Sequence, residues 1–185
     1  MAPWVNLPNL LTLLRLLMAP LVIEAILQGR HLLALALFAG AAFTDYLDGA
    51  AARHFKTSTQ AGAYLDPIAD KCLLSGAFLA LAAAHIVPWW LVAIIFGRDL
   101  YILLGAVIVM FLTPVRRLPP SVWGKLSTFV QIVTATAWMA RDAFPSQPLD
   151  SFALLTIWPC AVCTVWSGLH YTWRGLQIAR IARAH

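Results

Sequence analysis

Hydrophobic residues run along this chain in long blocks, separated by short stretches that carry the prolines and most of the charge. Blocks near the ~20 residues needed to cross a ~30 Å hydrocarbon core read as membrane helices, because a barrel would show short alternating segments. Six are predicted, over about residues 7–28, 32–53, 61–86, 88–112 and 123–139, and from about 152 into a basic tail. Pro8 and Asn9 suit the first helix entry, since Pro favours the first turn and Asn caps. Trp89 and Trp90, after Pro88, form an aromatic anchor. The connection after 112 holds Pro114, Pro119 and Pro120 and cannot be helix throughout, and Arg141 to Asp150 reads as a polar link. The expected fold is all-α: a polytopic membrane protein of about six transmembrane helices, 1–185 forming one domain.

One window breaks the pattern. The second block begins as Leu and Ala but ends as Thr44-Asp45-Tyr46-Leu47-Asp48-Gly49, and the third opens with Gly62, Asp66, Asp70 and Lys71. Half of the chain's 8 acidic residues lie between Asp45 and Asp70. On helices, Asp45 and Asp48 are an i,i+3 pair continued by Gly49 and Arg53, while Gly62, Asp66 and Asp70 form an i,i+4 row. Two helices joined by a tight turn thus bring four carboxylates to one face of the bilayer.

Composition supports the membrane assignment: 61% of residues are hydrophobic and 11% charged. The net charge of +5 is scattered at helix ends, which argues for anionic lipids and phosphorylated substrates as partners and against nucleic acid. Arg53, Lys56, Arg116, Arg117, Lys125, Arg174, Arg180 and Arg183 outweigh Arg30 and Arg141 on the other side, so both termini and the carboxylates are expected in the cytoplasm, the chain lying in the inner membrane. Nothing reads as a cleaved signal peptide. Cys160 and Cys163 have C-x-x-C spacing but no second pair, and read as buried helix residues. Arg15, inside the first block, is either functional or a snorkelling interfacial cation.

Four unpaired carboxylates in a bilayer would cost roughly 10–14 kcal/mol at about 2.5–3.5 each, so something offsets them. Oxygen-only clusters suit Mg²⁺ or Mn²⁺, and two such ions orient a phosphoryl group and neutralise its charge. Gly49 and Gly62 leave room for a nucleotide near the backbone, and Arg53 offers a phosphate contact. Buried carboxylates that relay protons or bind transported cations form the competing class, but transport sites lie near the midplane and this window lies at one face.

Asp45-Tyr-Leu-Asp48-Gly49-Ala-Ala-Ala52-Arg53, then Gly62, Asp66 and Asp70 at fixed intervals, resembles the complete signature of the CDP-alcohol phosphatidyltransferases. Pro8-Asn9 with Thr12 and Arg15, Leu65 to Lys71, Gly97-Arg98-Asp99 and Trp123-Gly124-Lys125 extend the likeness over most of the chain. The resemblance implies a six-helix membrane enzyme, a homodimer, that moves a phosphatidyl group from CDP-diacylglycerol to an alcohol and releases CMP. It implies Asp45, Asp48 and Asp66 as metal ligands, Asp70 as general base also touching the metal site, and Asp48, Gly49, Ala52, Arg53 and Gly62 around the CDP group. Arg98, Arg116, Arg117 and Lys125, all expected on the cytoplasmic side, suit an acceptor that carries its own phosphate. That favours sn-glycerol 3-phosphate, with phosphatidylglycerol next and inositol phosphate or serine behind.

Overall fold

The structure, a computed structural model, describes residues 7–55, 60–112 and 121–183, with side chains for 13–44, 69, 71–105, 108, 121–175 and 177. Six helices follow in order: α1 Leu7–Leu27, α2 His31–Phe55, α3 Gln60–Ala83, α4 Trp89–Leu112, α5 Val122–Ala143 and α6 Gln147–Arg183. The described residues include no strand. Among them, Gln147–Gly175 is long and apolar enough to cross a membrane.

The ends of the helices follow local chemistry. α1 stops where Gly29 takes φ 69, letting Gly29 N–H reach the Ile26 carbonyl (3.0 Å) and Arg30 N–H that of Ala25 (2.9 Å). α3 stops in the same way around His85 at φ 58, with His85 N–H on the Ala82 carbonyl (3.0 Å) and Ile86 N–H on that of Leu81 (2.9 Å). Both are Schellman closures, which satisfy carbonyls that the ending helix leaves unpaired.

The expected polar link from Arg141 to Asp150 is shorter than its composition suggests: α5 continues to Ala143 and α6 opens at Gln147. Pro148 falls in the first turn of α6, where its missing donor costs nothing, and Asp150 N–H donates to the Ser146 carbonyl (3.0 Å). Asp150 also complements the helix N-terminus and accepts a 2.6 Å bond from Arg141 Nε, whose guanidinium lies 4.8 Å from the Trp138 ring centre. Polarity here marks helix ends that face each other across a turn.

The helices form two compact units, Met1–Val87 with Ala135–Ala153, and Pro88–Thr134 with Leu154–His185. In the first, α1 packs on both α2 and α3. Its buried stripe is Arg15, Ala19, Val22 and Ile26; that of α2 is Ala34, Phe38 and Ala41; that of α3 includes Ala69, Leu73, Ala77 and Ala80. Small residues permit close approach: a β-carbon at Gly76 would fall 2.8 Å from Ile23 Cδ1, and one at Gly40 would touch Met18 Cε at 3.9 Å.

In the second unit, α5 and α6 are joined by a buried polar seam. Gln131 Nε2 donates to Thr164 Oγ1 (3.1 Å) and Ser127 Oγ (3.4 Å), and Thr134 Oγ1 donates to the Thr156 carbonyl (3.4 Å). Such bonds hold apolar helices together where lipid supplies no hydrophobic drive. Two tryptophan pairs flank the seam, Trp90 with Trp158 and Trp123 with Trp166, each with ring centres 5.9 Å apart. Cys72, Cys160 and Cys163 are free thiols, Cys160 buried on α6.

Candidate active site

The helical backbone carries Asp45, Asp48, Gly49, Ala52 and Arg53 on the last turns of α2, and Gly62, Asp66 and Asp70 on the first turns of α3. Their side chains lie outside the described residues, as do Arg116 and Arg117 entirely. The backbone register of α2 and α3 can still be followed. Continuing the α2 stripe Ala34, Phe38 and Ala41 by steps of four and three leads to Asp45, Asp48 and Ala52. Running the α3 stripe Ala77, Leu73 and Ala69 backwards leads to Asp66 and Gly62, and the buried row Leu81, Phe78 and Leu74 leads to Asp70. The acidic positions thus occupy the core register of both helices, where each helix exchanges apolar for ionisable residues.

α1 does the same. Its buried stripe includes Arg15, only 2% exposed and the largest fully buried side chain among those described. A guanidinium so buried does not snorkel, which settles one of the two readings that the sequence left open. Arg15 is not without a partner. The Met18–Gly40 and Ile23–Gly76 approaches fix its level: stepping along antiparallel α2 and parallel α3 from those contacts puts Arg15 beside residue ~43 on α2 and ~68 on α3. One cation and four acidic positions therefore share one level of the first unit. Among the described residues no group of three His, Cys, Asp or Glu could hold a metal ion.

The other expected site residues lie in the second unit. Arg98 sits on α4 with its side chain 10% exposed, wedged between α5 and α6. Its Nη1 donates to Asp99 Oδ1 at 2.7 Å and its Nη2 to Ser167 Oγ at 2.6 Å, while Nε–H is buried with no acceptor. Gly124, in the first turn of α5, makes this fit possible: a β-carbon there would lie 3.4 Å from Arg98 Nη2 and 3.3 Å from both Ser121 Oγ and Tyr171 Cε2. Ser121 Oγ caps α5 by accepting Gly124 N–H (3.0 Å), and Ser121 N–H donates to the Tyr171 hydroxyl (3.2 Å). Tyr101 Oη and Thr172 Oγ1 share a 2.7 Å bond beside it. Lys125, by contrast, is exposed at the same helix start.

Sequence reasoning found Arg98 and Lys125 but not Ser167, Ser121, Tyr171 or Asp99 as their surroundings. Ser121 before Val122 was readable as a cap, and Ser167-Gly168 as a small pair in an apolar run, but neither names its partner.

Acidic positions on adjoining helix ends, with a buried cation level with them, suit a class of proteins that bind metal ions and phosphate groups. Comparison of sequences makes it specific. The family model for CDP-alcohol phosphatidyltransferase matches residues 5–166, and this chain belongs to that family. A probable phosphatidylglycerophosphate synthase of Mycobacterium tuberculosis (strain ATCC 25618 / H37Rv) is 38% identical over 180 residues, 93% of this chain and 82% of that protein. A CDP-diacylglycerol--glycerol-3-phosphate 3-phosphatidyltransferase of Bacillus subtilis (strain 168) is 31% identical over 190 residues, 93% of this chain and 97% of that protein. A CMP-forming cardiolipin synthase of Rattus norvegicus is 31% identical over 198 residues, 96% of this chain and 65% of that protein.

Proposed function

We propose that this chain transfers the phosphatidyl group of CDP-diacylglycerol to sn-glycerol 3-phosphate, releasing CMP and forming phosphatidylglycerophosphate. It acts as a single catalytic domain of six membrane crossings, homodimeric, in the inner membrane with its site facing the cytoplasm. The observation that carries the reading is the unbroken set Asp45, Asp48, Gly49, Ala52, Arg53, Gly62, Asp66 and Asp70 on the adjoining ends of α2 and α3, all but Gly49 and Arg53 in core register. The name of the Bacillus relative supports the acceptor and that of the Mycobacterium relative the product.

A donor set of four carboxylates without thiol or imidazole fits Mg²⁺ or Mn²⁺, and two ions suit that number of oxygens. Asp45, Asp48, Asp66 and Asp70 would hold them; when bound, they neutralise charge on the phosphoryl group being transferred. Gly49, Ala52 and Gly62 keep the helix surfaces low enough for the cytidine diphosphate to lie against them, and Arg53 binds its phosphate. Asp70 takes the proton of the acceptor hydroxyl as its oxygen attacks the phosphatidyl phosphorus, and the bond from that phosphorus to the CMP oxygen breaks. Arg98 and Lys125, with Arg116 and Arg117, receive the acceptor's own phosphate. Arg15 balances the carboxylates from the α1 side.

A second reading has one specific support, the likeness to a cardiolipin synthase, and replaces glycerol 3-phosphate by phosphatidylglycerol. Purified protein given CDP-diacylglycerol, Mg²⁺ and a panel of acceptors separates the two by the mass of the lipid product. Glycerol 3-phosphate is expected to drive CMP release, and Asp70→Asn to reduce it by at least a thousandfold in a protein that remains monodisperse. Turnover without divalent metal, or full activity in that variant, overturns the mechanism.

A further inference from the structure

We propose that Ser167, in the middle of α6, is a positioning residue for acceptor binding: it holds the Arg98 guanidinium open so that a phosphate, and not Asp99, takes the remaining donors. This rests on the reading that Arg98 receives the acceptor phosphate.

Arg98 and Asp99 are neighbours on one helix turn, and arginine–carboxylate pairs frequently close into a two-bond fork. That closure is incomplete here. Asp99 Oδ1 receives Nη1 at 2.7 Å, while Nη2 is drawn to Ser167 Oγ at 2.6 Å on another helix. Ser167 is fully buried and Arg98 nearly so. Gly168 lets the arginine stem lie along α6, a β-carbon there falling 3.6 Å from Arg98 Cγ, and Gly124 keeps the opening turn of α5 within reach of Nη2. Of five N–H donors on the guanidinium, two are used and three remain, Nε–H among them, buried and unpaired. A buried donor without an acceptor is costly unless something arrives to use it. A phosphate that enters beside Arg98 meets those donors and the first turn of α5, whose amides carry partial positive charge. The serine is therefore a prop: without it, Nη2 swings to Asp99, the ion pair closes on itself, and the fork offered to phosphate is lost.

The experiment compares the wild-type full chain in nanodiscs with Ser167→Cys, which keeps size and loses a strong acceptor, and Ser167→Thr, which keeps the hydroxyl. Steady-state CMP release is measured against the acceptor and against CDP-diacylglycerol separately. Ser167→Cys is expected to raise KM for the acceptor about tenfold, with KM for CDP-diacylglycerol within twofold of wild type and Ser167→Thr recovering most of the loss. Adding Asp99→Asn to Ser167→Cys should lower the acceptor KM again, because an amide closes less tightly on the guanidinium. An acceptor KM unchanged in Ser167→Cys, both KM values raised equally, or no recovery by threonine, each overturns the proposal. Because KM is read on whichever phosphate-bearing acceptor the wild type uses, a wild type that ignores glycerol 3-phosphate refutes the acceptor reading and leaves the Ser167 comparison to be decided on phosphatidylglycerol.

Discussion

Arg15 shows what a single residue contributes when its register is known. A cation in a buried stripe is tolerated only when negative charge shares its level, and the acidic positions of α2 and α3 do so. Replacing it by an isosteric apolar residue leaves carboxylates to repel one another. Arg15→Met is expected to unfold at least 5 °C lower in metal-free protein, by loss of one member of a buried charge group worth about 3–5 kcal/mol. Saturating Mg²⁺ should recover more of that loss than it adds to the wild type. A thermal melt followed by tryptophan fluorescence, with and without metal, checks both statements. The acidic motif itself was legible from spacing alone, because ionisable side chains in an apolar run are too costly to be incidental. The orientation of Arg98 was not, because its determinants, Ser167 and Gly124, are far away in sequence and chemically ordinary.

At the scale of helices, number and order followed from the hydrophobic blocks, whereas the ends depended on local bonds. Composition made 141–150 a link, yet Ser146, Pro148 and Asp150 form the start of a helix. Glycine at position 29 announces its left-handed turn; histidine at 85 does not, although both close a helix with the same pair of hydrogen bonds. A non-glycine residue in that conformation costs about 1 kcal/mol or more. His85→Gly is therefore expected to stabilise the protein by roughly 0.5–1 kcal/mol, after the greater freedom of glycine in the unfolded chain is deducted. Denaturant titration in detergent reads this as a higher midpoint with unchanged slope, and a lower midpoint counts against the strain.

For the molecule as a whole, the proposed six crossings predict parity: turns 28–30, 84–88 and 144–146 on one side of the membrane and the start of α5 on the other. In a variant lacking Cys72, Cys160 and Cys163, single cysteines at Gln28, His85 and Ser146 should react with an impermeant maleimide from outside the cell, and one at Lys125 only after permeabilisation. A mixed result among the first three would remove the six-crossing topology. Parity follows from that proposal; the spacing of the tryptophan pairs bears on depth. Trp158 and Trp166 are separated along α6 by about 12 Å, less than half of a hydrocarbon core near 30 Å, so their two pairs do not mark its two faces. α4 runs on from Arg98 for about 21 Å, past exposed Leu100, Leu103, Leu104 and Ile108. The Arg98–Ser167 bond thus lies well inside α4 and α6 and not at a helix end. A phosphate that uses the remaining donors of Arg98 would therefore have to enter between helices and not at an exposed helix end.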